Sequence, residues 1–288
     1  MVALVTPFRN GAVDVRGLRR LVEFHVRSGT SAIVPCGTTG ESATLSHEEH
    51  EQVIEVVLQA ARGRIPIIAG TGSNNTEEAV RLTRHARRVG AQAALVISPY
   101  YNKPTQEGLY RHFRTVAEAG GLPLLLYNIA SRTAVNVEPE TIARLARIRW
   151  IVGVKESSGS LEQMARIKAL CPASFRLISG DDALTLPILA IGGTGVISVV
   201  ANLLPAEVAR MVRAFQRGGV ALARKIHYRL LPLTRALFLE TNPIPVKTAM
   251  GLAGLIEEAT LRLPLCPMSD ANLEKLKEAL RSYRLLKR

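Results

Sequence analysis

Lys155 closes a short apolar run, Ile151-Val152-Gly153-Val154, and is followed at once by Glu156. An amine placed there can attack a carbonyl and form an imine, or it can merely mark where a strand meets water, since lysines are mostly exposed. Side chains alternate faces along a strand, so Ile151, Gly153 and Lys155 share one face. Gly153 leaves that face without bulk, as expected where a ligand or another chain comes close. A free lysine amine is neutral only about once in 2,500 molecules at pH 7. The nucleophile must be the neutral amine, so an apolar wall and nearby positive potential are the environment this chemistry requires. Three other clusters fit the same reaction. Gly37-Thr38-Thr39-Gly40-Glu41 places two hydroxyls and free backbone N–H groups in one tight turn, a chemistry suited to a carboxylate. The phenol of Tyr127 is both donor and acceptor and can shuttle protons while a carbinolamine forms and dehydrates. Arg132, within Ser131-Arg132-Thr133, adds positive charge. Each has a plainer alternative: a connecting turn, rim packing, a surface charge.

The elements that would position these residues follow from hydropathy. Apolar runs recur at residues 2–5, 32–34, 65–69, 93–97, 123–126, 151–154, 175–178 and 194–198, with helix-like segments at 15–27, 47–60, 76–89, 106–119, 139–146, 161–170 and 182–190 between them. Strands alternating with helices imply βαβ units and a parallel sheet, and eight of them predict an α/β fold, a (β/α)8 TIM barrel over residues 1–218. In such barrels the active site lies where the strands end, which is where Lys155, the Thr38-Thr39 turn, Tyr100-Tyr101, Tyr127 and Gly180-Asp181-Asp182 fall. Ser46 with Glu49 predicts a capping box, and Gly29 and Gly90 stand where helix C-caps belong. Residues 219–288 read as a C-terminal helical appendage, with helices at 221–239, kinked at Pro232, 244–252 and 271–285.

Composition narrows the class. Of 288 residues 47% are hydrophobic, enough for a sizeable core, and the longest apolar runs fall short of the roughly 18 residues of a membrane helix. Residues 1–11 lack the features of a secretory signal, so the chain is expected in the cytoplasm. Cys36, Cys171 and Cys266 are far apart, and His47 and His50 have no nearby third ligand, so neither disulfides nor a metal site is expected. The net charge of +13 is mostly arginine spread over helices, and aromatics are only 5%. A solvated surface is expected rather than nucleic-acid binding, and the positive field would help gather anionic substrates.

Taken together, Gly37-Thr38-Thr39-Gly40-Glu41, Tyr127-Asn128, Val154-Lys155-Glu156 and Gly180-Asp181-Asp182 resemble the dihydrodipicolinate synthase and N-acetylneuraminate lyase superfamily of lysine-dependent, pyruvate-using aldolases, a likeness covering nearly the whole chain. It is closest to the synthase branch, which condenses pyruvate with L-aspartate 4-semialdehyde to give 4-hydroxy-tetrahydrodipicolinate on the diaminopimelate route to lysine. The resemblance implies a lyase in which Lys155 forms a Schiff base with pyruvate and no separate cofactor is needed. It implies that Thr38 and Thr39 hold the pyruvate carboxylate and relay protons with Tyr127, and that Arg132 receives the semialdehyde carboxylate, a bidentate role suited to guanidinium. Gly180 and Ile197 would line the pocket through their backbones. Tyr101 would enter the site of a neighbouring subunit, which implies a homotetramer built as a dimer of dimers. A feedback site for L-lysine would comprise Ser42, Ala43, His47, His50, Asn74, Glu78 and Tyr100, where Glu78 offers charge for an ammonium group. The plainer reading of His47 and His50 is as surface residues of a capped helix. Thr38-Thr39 and Ser131-Arg132-Thr133 favour the synthase over a sugar-acid or N-acetylneuraminate lyase. The remaining alternative is a non-catalytic barrel, since fold does not determine function.

Overall fold

The computed structural model describes residues 1–286. The chain forms two compact units, one of residues 1–66 with 198–288 and one of residues 67–197. In the first, strands β1 (Val2–Ala3) and β2 (Ile33–Val34) pair in parallel with Val2 opposite Ile33, and Val2 also bridges to Ser198. A short antiparallel hairpin joins Phe8–Arg9 to Ala12–Val13. Asn202 ties the unit together, accepting the Val5 N–H at 3.2 Å and donating to the Ala3 carbonyl at 2.8 Å. The helices of this unit are Val15–Arg27, His47–Ala61, Pro205–Gln216, Val220–Ala236, Ile244–Leu252 and Asp270–Ser282. The Ser46/Glu49 capping box forms as expected, and Gly29 takes the left-handed conformation (φ +73°) just past its helix. Val220–Ala236 runs as one helix through Pro232. Residues 219–286 fall in the same unit as the first two strands.

The second unit is a six-stranded parallel sheet in sequential order: β3 (Ile68–Gly70), β4 (Ala93–Ile97), β5 (Leu124–Asn128), β6 (Ile151–Glu156), β7 (Arg176–Ser179) and β8 (Gly195–Val196). Parallel strands covered on both faces read as continuous apolar runs, and all five residues of β5 are buried. The helices that follow start on Asn75, Thr105 and Ser160, whose side chains accept backbone N–H groups of the first turn, the usual means of satisfying the free donors of a helix start. Three local expectations are corrected. Strand β6 continues two residues beyond 154, so Lys155 and Glu156 lie inside it. The helix expected from 182 begins at Thr185, and a short helix, Ala130–Thr133, fills the loop after β5.

The arginine excess lies where the sequence placed it, on outer helix faces. Arg111–Glu107 and Arg114–Glu118 pair one helical turn apart at 3.0 Å with more than half of each arginine exposed, interactions worth only a few tenths of a kcal/mol. Among the described residues no helix is long and apolar enough to cross a membrane.

Gly153 serves packing rather than a ligand. A Cβ there would lie 2.5 Å from the Arg176 carbonyl oxygen of β7 and 2.9 Å from Leu125 Cδ2 of β5. Gly153→Val should therefore destabilise the protein by about 2 kcal/mol through overpacking, read as a lower denaturant midpoint with an unchanged slope.

Candidate active site

Strand pairing assembles the first set of chemical groups. Register places Tyr127 of β5 opposite Lys155 of β6, and Lys155 opposite Ile178 of β7. Lys155 is only 6% exposed, and its Nζ lies 4.0 Å from the centroid of the buried Tyr127 ring. The ring faces stabilise a cation, and the phenol belongs to the same cluster as the amine. Gly180, just past β7, makes room for the lysine stem. A Cβ on Gly180 would come within 2.9 Å of Lys155 Cε and 3.1 Å of Cγ and would overlap Ser157 Oγ. The small residue that the sequence assigned to Gly153 is thus Gly180, contributed by the neighbouring strand. Ile197 is buried next to it in the sheet, its N–H donating to the Ser179 carbonyl at 2.9 Å.

Two other predicted groups of this unit, Arg132 and Tyr101, stand at the surface. Arg132 is exposed on the short helix Ala130–Thr133. Tyr101 is 90% exposed and left-handed (φ +71°), a conformation that a bulky side chain adopts only when its surroundings hold it there. Asn74, Glu78 and Tyr100 do meet. Asn74 donates to the Tyr100 carbonyl at 3.2 Å, Ser73 donates to the Glu78 carboxylate, and burial together with the Glu78 charge raises the Tyr100 phenol.

The opposite face of the same strand pair holds groups that sequence reasoning quoted only as motif neighbours. Asn128 sits opposite Glu156 in register, donating to its Oε2 at 3.0 Å, and the Ser158 N–H donates to Oε1 at 2.7 Å. Asn128 also reaches Asn136, which donates to Gln163. Glu156 is fully buried, and desolvation raises its carboxyl, with the Ser158 and Asn128 hydrogen bonds pulling it down. The alternation Tyr127/Asn128 against Lys155/Glu156 was a usable signal, because adjacent paired residues must point to opposite faces.

In the other unit Thr38–Gly40 is a single 3-10 turn with Thr39 only 3% exposed. Thr6 Oγ1 donates to the Gly40 carbonyl at 2.7 Å, and Asn242 Nδ2 donates to Thr39 Oγ1 at 3.0 Å. Glu41, left-handed at φ +53°, accepts from the Lys247 ammonium at 2.5 Å with both side chains wholly buried. Asn242 and Lys247 escaped the sequence reading because the stretch resembles an ordinary apolar helix. A lone lysine in Ile244–Leu252 was the one available hint. Of the expected effector residues here, Ser42 and Ala43 lie on the turn after Glu41, His47 is exposed, and His50 is buried at 6%, which corrects its assignment to the surface. Among the described residues no group of three His, Cys, Asp or Glu is placed to hold a metal ion.

A carboxyl raised by burial favours folding most in its protonated form. Its contribution is complete below the unfolded value and is lost as pH rises through the folded one. Glu156→Gln removes that titration, so the Tm of the variant relative to the native chain should rise as pH goes from about 4 to about 7. A pH-independent Tm difference would contradict this account.

Known proteins match this chain along nearly its whole length. Residues 1–283 match the profile of the dihydrodipicolinate synthetase family. The 4-hydroxy-tetrahydrodipicolinate synthase of Syntrophus aciditrophicus (strain SB) is 56% identical over 286 residues, 99% of this chain and 98% of that protein. The crystal structure of dihydrodipicolinate synthase from Aquifex aeolicus superposes with a TM-score of 0.98 at 52% identity, covering 100% of this chain and 98% of that one. That of the Cyanidioschyzon merolae enzyme with lysine bound has a TM-score of 0.96 at 43% identity, covering 99% and 97%. The likeness in fold bears out the α/β, (β/α)8 barrel class expected from the sequence. With a profile match over residues 1–283 and this degree of identity, the chain belongs to the dihydrodipicolinate synthetase family.

Proposed function

We infer that the chain is a lyase that condenses pyruvate with L-aspartate 4-semialdehyde to 4-hydroxy-tetrahydrodipicolinate in lysine biosynthesis. Its membership of the family, with 56% identity to a synthase of that name, supports the reaction. The observation that carries the mechanism is the buried Lys155 amine 4.0 Å from the Tyr127 ring. In this reading Lys155 Nζ attacks the pyruvate keto carbon, and the carbinolamine loses water to leave the imine. Tyr127 supplies and withdraws the protons, and Thr38 takes part in that relay. Loss of a methyl proton converts the imine to an enamine, whose carbon adds to the semialdehyde aldehyde. The substrate's own amine then displaces Lys155 and closes the ring. No external cofactor enters, because the protonated imine formed on Lys155 is itself the electron sink.

Thr39 donates to the pyruvate carboxylate, and Arg132 takes the semialdehyde carboxylate with its two-pronged guanidinium. The backbones of Gly180 and Ile197 line the pocket. Tyr101, exposed and rooted in left-handed backbone, completes a neighbouring subunit's relay in a cytoplasmic homotetramer. L-lysine is the proposed feedback inhibitor, bound by Ser42, Ala43, His47, His50, Asn74, Glu78 and Tyr100. The meeting of Asn74, Glu78 and Tyr100 supports this, as does a relative crystallised with lysine bound.

Borohydride added with pyruvate should fix one pyruvate on Lys155, read by peptide mass on a preparation that sediments as a tetramer. Gly180→Ala, which crowds the lysine stem, should cut trapping at least about tenfold while the protein still folds. An unmodified Lys155 would remove the imine mechanism, and turnover of N-acetylneuraminate in place of the semialdehyde would reassign the substrate. Millimolar L-lysine should slow the reaction, and Glu78→Gln should raise the half-inhibiting concentration about tenfold or more, the loss of one charge-assisted contact. A native rate indifferent to lysine would sink the regulatory site.

A further inference from the structure

The turn that carries Thr38 and Thr39 is held from outside by residues far along the chain. Asn242 is buried and donates from Nδ2 to Thr39 Oγ1 at 3.0 Å. A threonine hydroxyl has one hydrogen and can also accept. With Asn242 filling an acceptor position, the Thr39 hydrogen is left for another partner, and a carboxylate requires such a donor.

The backbone beneath the hydroxyl is fixed as well. Glu41 closes the turn at φ +53°, its N–H donating to the Thr38 carbonyl at 3.1 Å. A non-glycine residue in that region needs surroundings that hold it there. Here they are the Lys247 ammonium on Oε1 at 2.5 Å and the Arg262 backbone N–H on Oε2 at 3.1 Å. The Phe8 ring lies 3.9 Å from the same ammonium and 4.3 Å from the Arg262 guanidinium, which itself grips Glu49. Both side chains of the Lys247–Glu41 pair are 0% exposed. Burial lowers the Lys247 amine to about 8, with the Glu41 charge opposing that shift, so near neutral pH the contact is charge-assisted. From the other side Thr6 holds the Gly40 carbonyl, and a Cβ on Gly40 would stand 3.1 Å from the Leu4 carbonyl oxygen. A buried ion pair that adds little net stability is well suited to fixing one conformation.

We propose that Asn242 and Lys247 are positioning residues for pyruvate. Asn242 sets the direction in which the Thr39 hydroxyl donates, and Lys247, acting through Glu41, holds the turn so that the hydroxyl stays in place. This rests on the reading of Thr39 as the donor to the pyruvate carboxylate. The segment after residue 218 is then part of the substrate site's support and not an appendage to it.

Borohydride trapping on Lys155 as a function of pyruvate concentration gives a half-saturation value that tests the idea by a double-mutant cycle. Thr39→Val and Asn242→Ala should each raise it about tenfold, the loss of one hydrogen bond to a charged group. The double variant should be no worse than either single change, because both act on the same hydrogen bond from Thr39 to the substrate. The KM for the semialdehyde should move less than about twofold in Asn242→Ala, which a general loosening of structure would not permit. Lys247→Met should raise the pyruvate value while Lys247→Arg recovers part of the loss, and Glu41→Gln/Lys247→Met covers the case in which the lone buried carboxylate prevents folding. If Asn242→Ala does not fold, Asn242→Leu fills the space without a donor and carries the same expectation. A native half-saturation in Thr39→Val would overturn the role of Thr39 and this inference with it. An effect in Thr39→Val with none at Asn242, or factors that multiply in the double variant, would overturn this inference alone.

Discussion

Strand β6 places an amine and a carboxylate next to each other in sequence, and a strand must send neighbouring side chains to opposite faces. The molecule therefore has to bury two charges separately. Lys155 finds the Tyr127 ring on one side, and Glu156 finds Asn128, Ser158 and Gln163 on the other. Tyr127 and Asn128, one partner from each set, come from the same register with β5. A slip of one residue would exchange the faces and strand both charges. This constraint accounts for Gly153, squeezed between its neighbours to keep the strands close, and for Gly180, bare so that the lysine stem can pass.

The environment of the amine differs from that of the carboxylate in kind. Glu156 accepts several hydrogen bonds and still has its carboxyl raised, since desolvation outweighs them. Such a network orients its members, and it keeps β5 and β6 in step through Asn128, Asn136 and Gln163. Lys155 lies instead against the Tyr127 ring, and among the described residues its nitrogen forms no ion pair with a carboxylate.

In the other unit the charged pair is used in the opposite way. Lys247 is committed to Glu41 and shielded by Phe8, with neither charge reaching solvent. Two lysines, each in an apolar stretch, thus have contrasting fates decided by what packs against them. Lys155 meets an aromatic ring, whereas Lys247 meets a carboxylate.

The sequence alone determined the rhythm of strands and helices, the caps at Ser46 and Gly29, and the presence of an amine, a phenol and a hydroxyl-bearing turn at strand ends. These depend on local hydropathy and on spacing, which a single chain displays directly. The supporting residues stayed hidden for the reverse reason. Asn242 and Lys247 act on residues some two hundred positions earlier, and Gly180 acts on a neighbouring strand, so nothing in their own surroundings marks them. The fate of each buried charge is a property of the partner that packing brings to it, and only the tertiary structure decides which partner that is.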